Sequence, residues 1–128
     1  MLRIRREQWI ALTEVPRRRF VDRVVSYMRG NWSMETANLN DAALRKLIID
    51  GRELAEKHGI DIEADVVVII ELCMLFGMDF LTSDEFPYGM STIKASNVDA
   101  RARVQMLHMQ AKRAWAARGK GELAGGAI

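Results

Sequence analysis

The residues best suited to nucleophilic or general-base chemistry are one cysteine and two histidines: Cys73, His58 and His108. Nucleophilic catalysis needs the nucleophile and its base within hydrogen-bond reach, and many serine hydrolases carry a Gly-x-Ser-x-Gly turn. The sequence has no such turn, and the three residues lack the paired spacing of zinc ligands. Cys73 lies in an apolar run, where burial suppresses thiol reactivity. We therefore predict no catalytic residue, no metal site and no cofactor.

Glu71 is the one charged residue in the apolar segment 66–76. It could lie on a helix edge that reaches solvent, pair with an arginine, or be a buried charge that serves a site. No other residue completes such a site, so a solvent-exposed edge or an arginine partner is favoured. Carboxylates also cluster in "DIEAD" (61–65) and "SDE" (83–85), but neither has the ligand and glycine positions of a calcium loop.

Charge is distributed unevenly along the chain, although the net charge is only +2. Residues 1–30 contain eight arginines against three acidic residues, giving +5, and residues 99–128 carry +4. Residues 31–98 therefore carry −7. The basic ends and the acidic centre can attract each other within the fold or present patches of opposite sign to a partner.

The arginines of "PRRRFVDR" (16–23) could contact nucleic-acid phosphates, because Arg18, Arg19 and Arg23 fall on the predicted outer face of a helix. A specific DNA reader usually has a stronger basic balance and a recognizable helix-turn-helix. The centre of this chain is acidic instead. A protein-docking or solvated face is the favoured interpretation, and nucleic-acid binding is the alternative.

The composition predicts a single globular domain built from helices. A length of 128 residues suits one domain, and 49% hydrophobic with 28% charged residues is typical of folded proteins. Only two prolines occur, which favours long uninterrupted helices. The N-terminal "MLRIRREQW" lacks the apolar stretch of a secretion signal, and a single cysteine suits a reducing compartment. We predict a cytoplasmic protein without a membrane span.

Hydrophobic periodicity and helix end signals locate the elements. Helices are expected over residues 5–13, 17–30, 41–58, 62–77 and 98–118, with a helical turn near 91–95 and a loop anchored by Trp32. Asn40 or Asp41 would cap the third of these helices, and Gly59 would end it. Gly51 lies at the centre of its apolar face, which suggests that another helix passes close by.

The segment "DIEADVVVIIELCMLFG" (61–77) combines strand-forming residues with the length of a helix. The β-branched run 66–70 favours a strand, but a strand of sixteen residues would be unusually long. Asp61 is a good N-cap and Gly77 a good stop. A helix that is apolar all round is expected to be fully packed. The predicted fold is therefore all-α, a compact bundle of about five helices around a central helix at 62–77.

The last predicted helix carries two apolar stripes, of which only one has to face the core. Asn97 would cap this helix. The second stripe contains Met106 and Met109, whose flexible side chains adapt to varied contacts, so it is a candidate partner surface. Aromatic residues in the acidic loop 79–91 are expected to pin it to the core. We predict one helical domain over 1–118, followed by a flexible tail at 119–128.

Three segments carry a pattern of structural motifs: "FVDRVVSYMR" (20–29), "ALRKLIIDGRELAEKHGIDIEADVVVIIELCMLFGMDF" (43–80) and "SDEFPYGMSTI" (83–93). This pattern resembles a loosely defined group of small helical proteobacterial proteins that are encoded beside type VI secretion spike proteins and toxin effectors. The resemblance implies an adaptor, chaperone or immunity-like role exercised by binding another protein, with no catalytic residue or cofactor to transfer. Tyr88 stands where such sequences often have tryptophan.

We therefore predict a non-enzymatic accessory protein that binds a secreted toxin or a secretion-system component. The candidate contact residues are Arg18, Arg19, Arg23, Asp84, Glu85, Met106 and Met109. Neutralising, loading and chaperoning the partner all stay open at this point, as does the oligomeric state.

Overall fold

The computed structural model describes residues 17–119, and within them every regular element is helical. The elements are α1 (Arg17–Asn31), α2 (Ser33–Thr36), α3 (Asp41–Lys57), α4 (Glu63–Phe76), a 3-10 helix (Phe80–Thr82), α5 (Gly89–Ile93) and α6 (Ala100–Ala117). The predicted all-α class is confirmed. The predicted helix at 5–13 and almost all of the predicted tail lie outside the described residues.

Three of the predicted helix-end residues, Asn40, Gly59 and Gly77, are confirmed, and two are wrong. The side chain of Asn40 accepts a hydrogen bond from an N–H group in the first turn of α3, and Gly77 ends α4 with a φ of 101°. Asp61 does not cap α4, because the N-cap position falls on Ile62. Asp99 rather than Asn97 caps α6.

The last error has a physical reason in the chain before α6. Arg103 donates a hydrogen bond from Nε to the carbonyl oxygen of Val98, which fixes that residue outside the helix. The carboxylate of Asp99 then accepts from the N–H of Ala102 at 2.8 Å. The helix therefore begins two residues later than predicted.

Helix α4 is buried along almost its whole length. All of its residues except Met74 and Leu75 are buried, including the β-branched run that favoured a strand. Helices α3 and α6 pack against it, and side chains of α1 and Trp32 donate hydrogen bonds to its carboxylates. Tertiary burial thus decides the conformation of 66–70 over the local preference of these residues for strands.

Helices α3 and α4 form an antiparallel pair joined by the short connection 58–62. Gly59 makes this turn with a φ of 74°, a conformation that favours glycine. The predicted close approach at Gly51 is confirmed: a Cβ atom added there would lie 2.9 Å from Cγ1 of Ile70 and 3.3 Å from its Cα. The absence of a side chain at Gly51 lets the two helices meet.

Arginines hold both ends of α6 against the rest of the protein. Arg103 donates from Nη1 to the carbonyl oxygens of His58 and Ile93 near the start of α6. At the other end Arg118 donates to the carbonyl oxygen of Leu75, near the end of α4. Since these contacts follow the same order along both helices, α6 runs in the same direction as α4.

Aromatic side chains anchor the segments that follow α1 and α4. Trp32 is buried, as predicted, although residues 33–36 of the predicted loop form the short helix α2. In the loop after α4, Phe86 packs edge-on against Phe76 and Phe80, with ring centroids 4.9 and 5.2 Å apart. Tyr88, which was expected to pin the same loop, is exposed. Across residues 17–119, no helix has the combined length and apolarity that a membrane span requires.

The contact at Gly51 can be tested by substituting alanine. We expect Gly51→Ala to lower the free energy of unfolding by about 1–3 kcal/mol, because the added methyl group forces α3 and α4 apart. Gly30→Ala is the matched control, since Gly30 also lies in a helix but an added Cβ has nothing within 4 Å. It should be neutral or stabilising by about 0.5–1 kcal/mol. Equal changes in the two urea unfolding curves would contradict the close packing.

Candidate partner-binding surface

The clearest candidate surface is the solvent-facing side of α6. Its core-facing residues, Val104, Leu107, Ala111 and Ala114, recur at intervals of three or four and are buried. On the other side lie Arg101, Gln105, Met106, Met109, Lys112 and Arg113, all exposed. We call these six residues the α6 outer face. The predicted second stripe is therefore uncovered at both of its methionines, with Met106 43% and Met109 65% exposed.

The cations of the α6 outer face are Arg101, Lys112 and Arg113. At 100° per residue, Met109 lies between Lys112 on one side and Arg113 on the other. None of the three cations forms an ion pair with a described residue. Residues 100–117 also contain no aspartate or glutamate. The face therefore presents apolar surface bordered by positive charge that is not neutralised within the helix.

The three arginines predicted on α1 have different surroundings. Arg18 and Arg19 are exposed, as predicted. Arg23 instead turns inward, and its Nη2 donates to both carboxylate oxygens of Glu63 at 2.6 and 2.7 Å. Its side chain is 38% exposed, whereas that of Glu63 is fully buried. Arg23 thus serves an internal ion pair, whereas Arg18 and Arg19 are exposed.

The loop between the 3-10 helix and α5 forms a shallow depression of about 340 Å³. Leu81, Phe86 and Met90 contribute its apolar lining, and the exposed Asp84 contributes charge. Glu85 points elsewhere, because Arg118 donates to both of its carboxylate oxygens. This hydrogen bonding holds the pKa of the Glu85 carboxyl below its usual value. Asp84 is therefore available to a partner, while Glu85 mainly ties the loop to the end of α6.

The prediction that Glu71 lies on a solvent-exposed helix edge is wrong, because its side chain is fully buried. Its Oε2 accepts hydrogen bonds from the indole Nε1 of Trp32 and from the hydroxyl of Tyr27, the latter at 3.3 Å. Burial, reinforced by the nearby Glu71 carboxylate, raises the pKa of Tyr27 well above its usual value. These described partners are donors that position Glu71 within the fold.

The residues considered for catalysis lie in separate places. Cys73 is 1% exposed, and burial raises the pKa of its thiol to about 12, so the reactive thiolate is strongly disfavoured. His58 ends α3, where partial burial and then the nearby cations lower its pKa. His108 lies half-buried on α6. Residues 17–119 contain no group of three His, Cys, Asp or Glu side chains that could hold a metal ion.

Comparison of the chain with protein-family models, with curated proteins and with solved structures found no match. The seven predicted contact residues lie on three elements, namely α1, the loop before α5, and α6. The prediction omitted Arg101, Lys112 and Arg113, which accompany the methionines on α6. The sequence did indicate that these cations are unpaired within the helix, because residues 100–117 contain no acidic residue.

The internal ion pair of Arg23 predicts different effects for two arginines of the same helix. We expect Arg23→Met to lower the free energy of unfolding by about 2–3 kcal/mol, because it leaves the carboxylate of Glu63 buried without this cation. This is less than the loss for a fully buried pair, since Arg23 is partly exposed. Arg18→Met, the control, should change stability by less than about 0.5 kcal/mol. Similar losses in urea unfolding would contradict the internal role of Arg23.

The raised pKa of Tyr27 predicts a loss of stability at high pH. The fold favours the neutral hydroxyl, so its contribution is fully present below the unfolded pKa of about 10 and declines as the pH rises above it. The free energy of unfolding, measured between pH 8 and 11, should fall less steeply in Tyr27→Phe than in the wild type. Tyr88→Phe, which alters an exposed tyrosine, should follow the wild type. Identical slopes for all three proteins would refute the assignment.

Proposed function

We propose that this protein is a non-enzymatic accessory that binds another protein, either a secreted toxin or a component of a type VI secretion system. The observation that carries the proposal is the α6 outer face, where Met106 and Met109 are exposed beside cations that form no ion pair with described residues. Methionine adapts to varied apolar partners, and flanking charge steers association and selects among partners. The resemblance of segments 20–29, 43–80 and 83–93 to secretion-associated helical proteins supports the choice of partner class.

The proposed role is that of an adaptor, chaperone or immunity-like protein acting in the cytoplasm. Each of these roles requires a stoichiometric complex in which this protein contributes a surface and no reacting group. Arg18, Arg19 and Asp84 supply further exposed charge for such a complex. They lie on α1 and on the loop before α5, so a large partner would contact several elements at once.

Nucleic-acid binding is the second candidate, and the charge of α6 favours it. The helix carries four cations and no acidic residue, and Arg18 and Arg19 add two exposed cations on α1. A nucleic-acid regulator would bind a generic 20-bp duplex with an affinity that falls steeply as salt rises. The exposed methionines offer no phosphate contact, which is why protein binding is preferred.

Complex formation in the native host tests the proposal. A tagged copy of the chain should co-purify a toxin or secretion component in a fixed ratio, and the purified pair should form one species by size-exclusion chromatography. Reversing Arg18 and Arg19 to glutamate should weaken the complex about tenfold or more by titration calorimetry, because charge reversal places like charges at the contact. Arg23 is left unchanged in this variant, since its reversal would disturb folding.

The matched control reverses Lys57 and Lys94, two exposed lysines on α3 and at the end of α5. It makes the same change in net charge and should leave the affinity within about threefold. A monomer that co-purifies with no stoichiometric protein would overturn the proposal. Duplex DNA binding that is lost at moderate salt would favour the second candidate.

A further inference from the structure

Exposed apolar side chains are concentrated on α6. The large hydrophobic side chains exposed among the described residues are Met34, Met78, Tyr88, Met106 and Met109. Met106 and Met109 are three residues apart on one helix, so they are neighbours on its surface. The other three occur singly on different segments, and scattered exposure of that kind is normal. Met106 and Met109 therefore form a small apolar patch at the centre of the α6 outer face.

The charges of α3 provide an internal comparison for those of α6. On α3, Arg45, Lys46 and Arg52 each pair with an acidic residue one turn away, at 2.8–2.9 Å. These pairs neutralise much of the surface charge of α3 within the helix itself. On α6, Arg103 donates hydrogen bonds to backbone carbonyl oxygens. The three cations of the α6 outer face have no acidic neighbour in the helix. A binding partner with acidic side chains would therefore meet cations that are not already paired within the helix.

The dimensions of the face match one short helix. Arg101 and Arg113 are twelve residues apart, which corresponds to roughly 18 Å along the axis. A partner helix of about three turns would cover this length. Apolar residues at i, i+3, i+4 and i+7 would contact Met106 and Met109, and glutamates or aspartates beside them would meet the flanking cations.

We propose that the α6 outer face docks an acidic amphipathic helix of the partner protein. This inference rests on the proposed function and names the chemistry of the segment that is bound. Nucleic acid fits the face less well, because its phosphates would leave the methionines without an apolar contact. Helix α3 of a second copy also fits less well as the docked helix, because its acidic residues that pair with Arg45, Lys46 and Arg52 are already engaged.

The probe is a fluorescein-labelled synthetic peptide of fourteen residues, with leucine at i, i+3, i+4, i+7 and i+11 and glutamate at most other positions. Fluorescence anisotropy at low and moderate salt reports its binding to the full chain. One comparison peptide replaces glutamate by lysine, and a second replaces leucine by glutamine. We expect the first comparison peptide not to bind and the second to bind at least about tenfold more weakly than the probe.

Variants of the protein locate the binding. Lys112→Glu combined with Arg113→Glu should weaken the probe about tenfold or more, and Met109→Gln should weaken it about threefold to tenfold. The control, Lys57→Glu combined with Lys94→Glu, makes the same change in net charge elsewhere on the surface and should bind as the wild type does. Circular dichroism should be unchanged in all of these variants, and urea unfolding should show that each of them still folds cooperatively, since every altered side chain is exposed.

Four results would overturn the inference. The first is an equal loss of peptide affinity in the α6 variant and the control variant, which would mean that the peptide responds only to the net charge of the protein. The second is equal binding of the peptide that lacks leucine, and the third is tighter binding of a 20-bp duplex. The fourth is a concentration-dependent dimer that the α6 reversal abolishes, which would make a second copy the occupant. If a co-purified partner binds the α6 variants normally, this inference fails while the proposed function stands.

Discussion

Glu63 and Glu71 are fully buried on α4, and a buried carboxylate is tolerated only where hydrogen-bond donors surround it. Some of these hydrogen-bond donors lie on α1, and another is Trp32, the residue that follows α1. Arg23 donates to Glu63, whereas Tyr27 and Trp32 donate to Glu71. Because the contacts advance in the same direction along both helices, they set α1 parallel to α4. Apolar packing alone would constrain this orientation less, since an apolar surface can pack in several registers.

Buried and partly buried acceptors elsewhere in the fold also need donors, and several arginines near the two ends of the chain supply them. The number of arginines available to a partner is therefore smaller than the sequence suggests. Arg29 donates to the carbonyl oxygens of Thr36 and Leu39, and Arg103 donates to the carbonyl oxygens of His58 and Ile93. Arg118 pairs with Glu85 and lies over the ring of Phe76, with its guanidinium carbon 4.8 Å from the ring centroid. These arginines complete the hydrogen bonding of turns and helix ends. The basic ends are thus divided between internal ties and exposed cations.

Most of the fold could be predicted from the sequence because its determinants are local in the chain. Periodicity identifies the helices, Gly77 marks the end of α4, and Gly51 marks the contact with Ile70. Caps were less certain, since acceptors such as Asn97 and Asp99 compete within two residues and tertiary contacts decide between them. The environment of Glu71 could not be predicted, because Tyr27 and Trp32 are about forty residues away and periodicity does not identify cross-helix partners. The stripe that contains Met106 and Met109 could be predicted, because both stripes belong to one helix and helical periodicity identifies them.

The contrast between α3 and α6 separates the surface that supports the fold from the surface proposed to bind. On α3, acidic and basic side chains alternate at one-turn spacing and satisfy each other. On the α6 outer face, each exposed cation contributes little to stability, because a hydrated charge without a partner forms no interaction that unfolding would break. Selection for folding therefore constrains Arg101, Lys112 and Arg113 only weakly, whereas the inward-facing Arg103 is tied to three carbonyl oxygens. A face of this kind can change its charge pattern to suit a partner without loss of the bundle, which is the property that a specific binding protein needs.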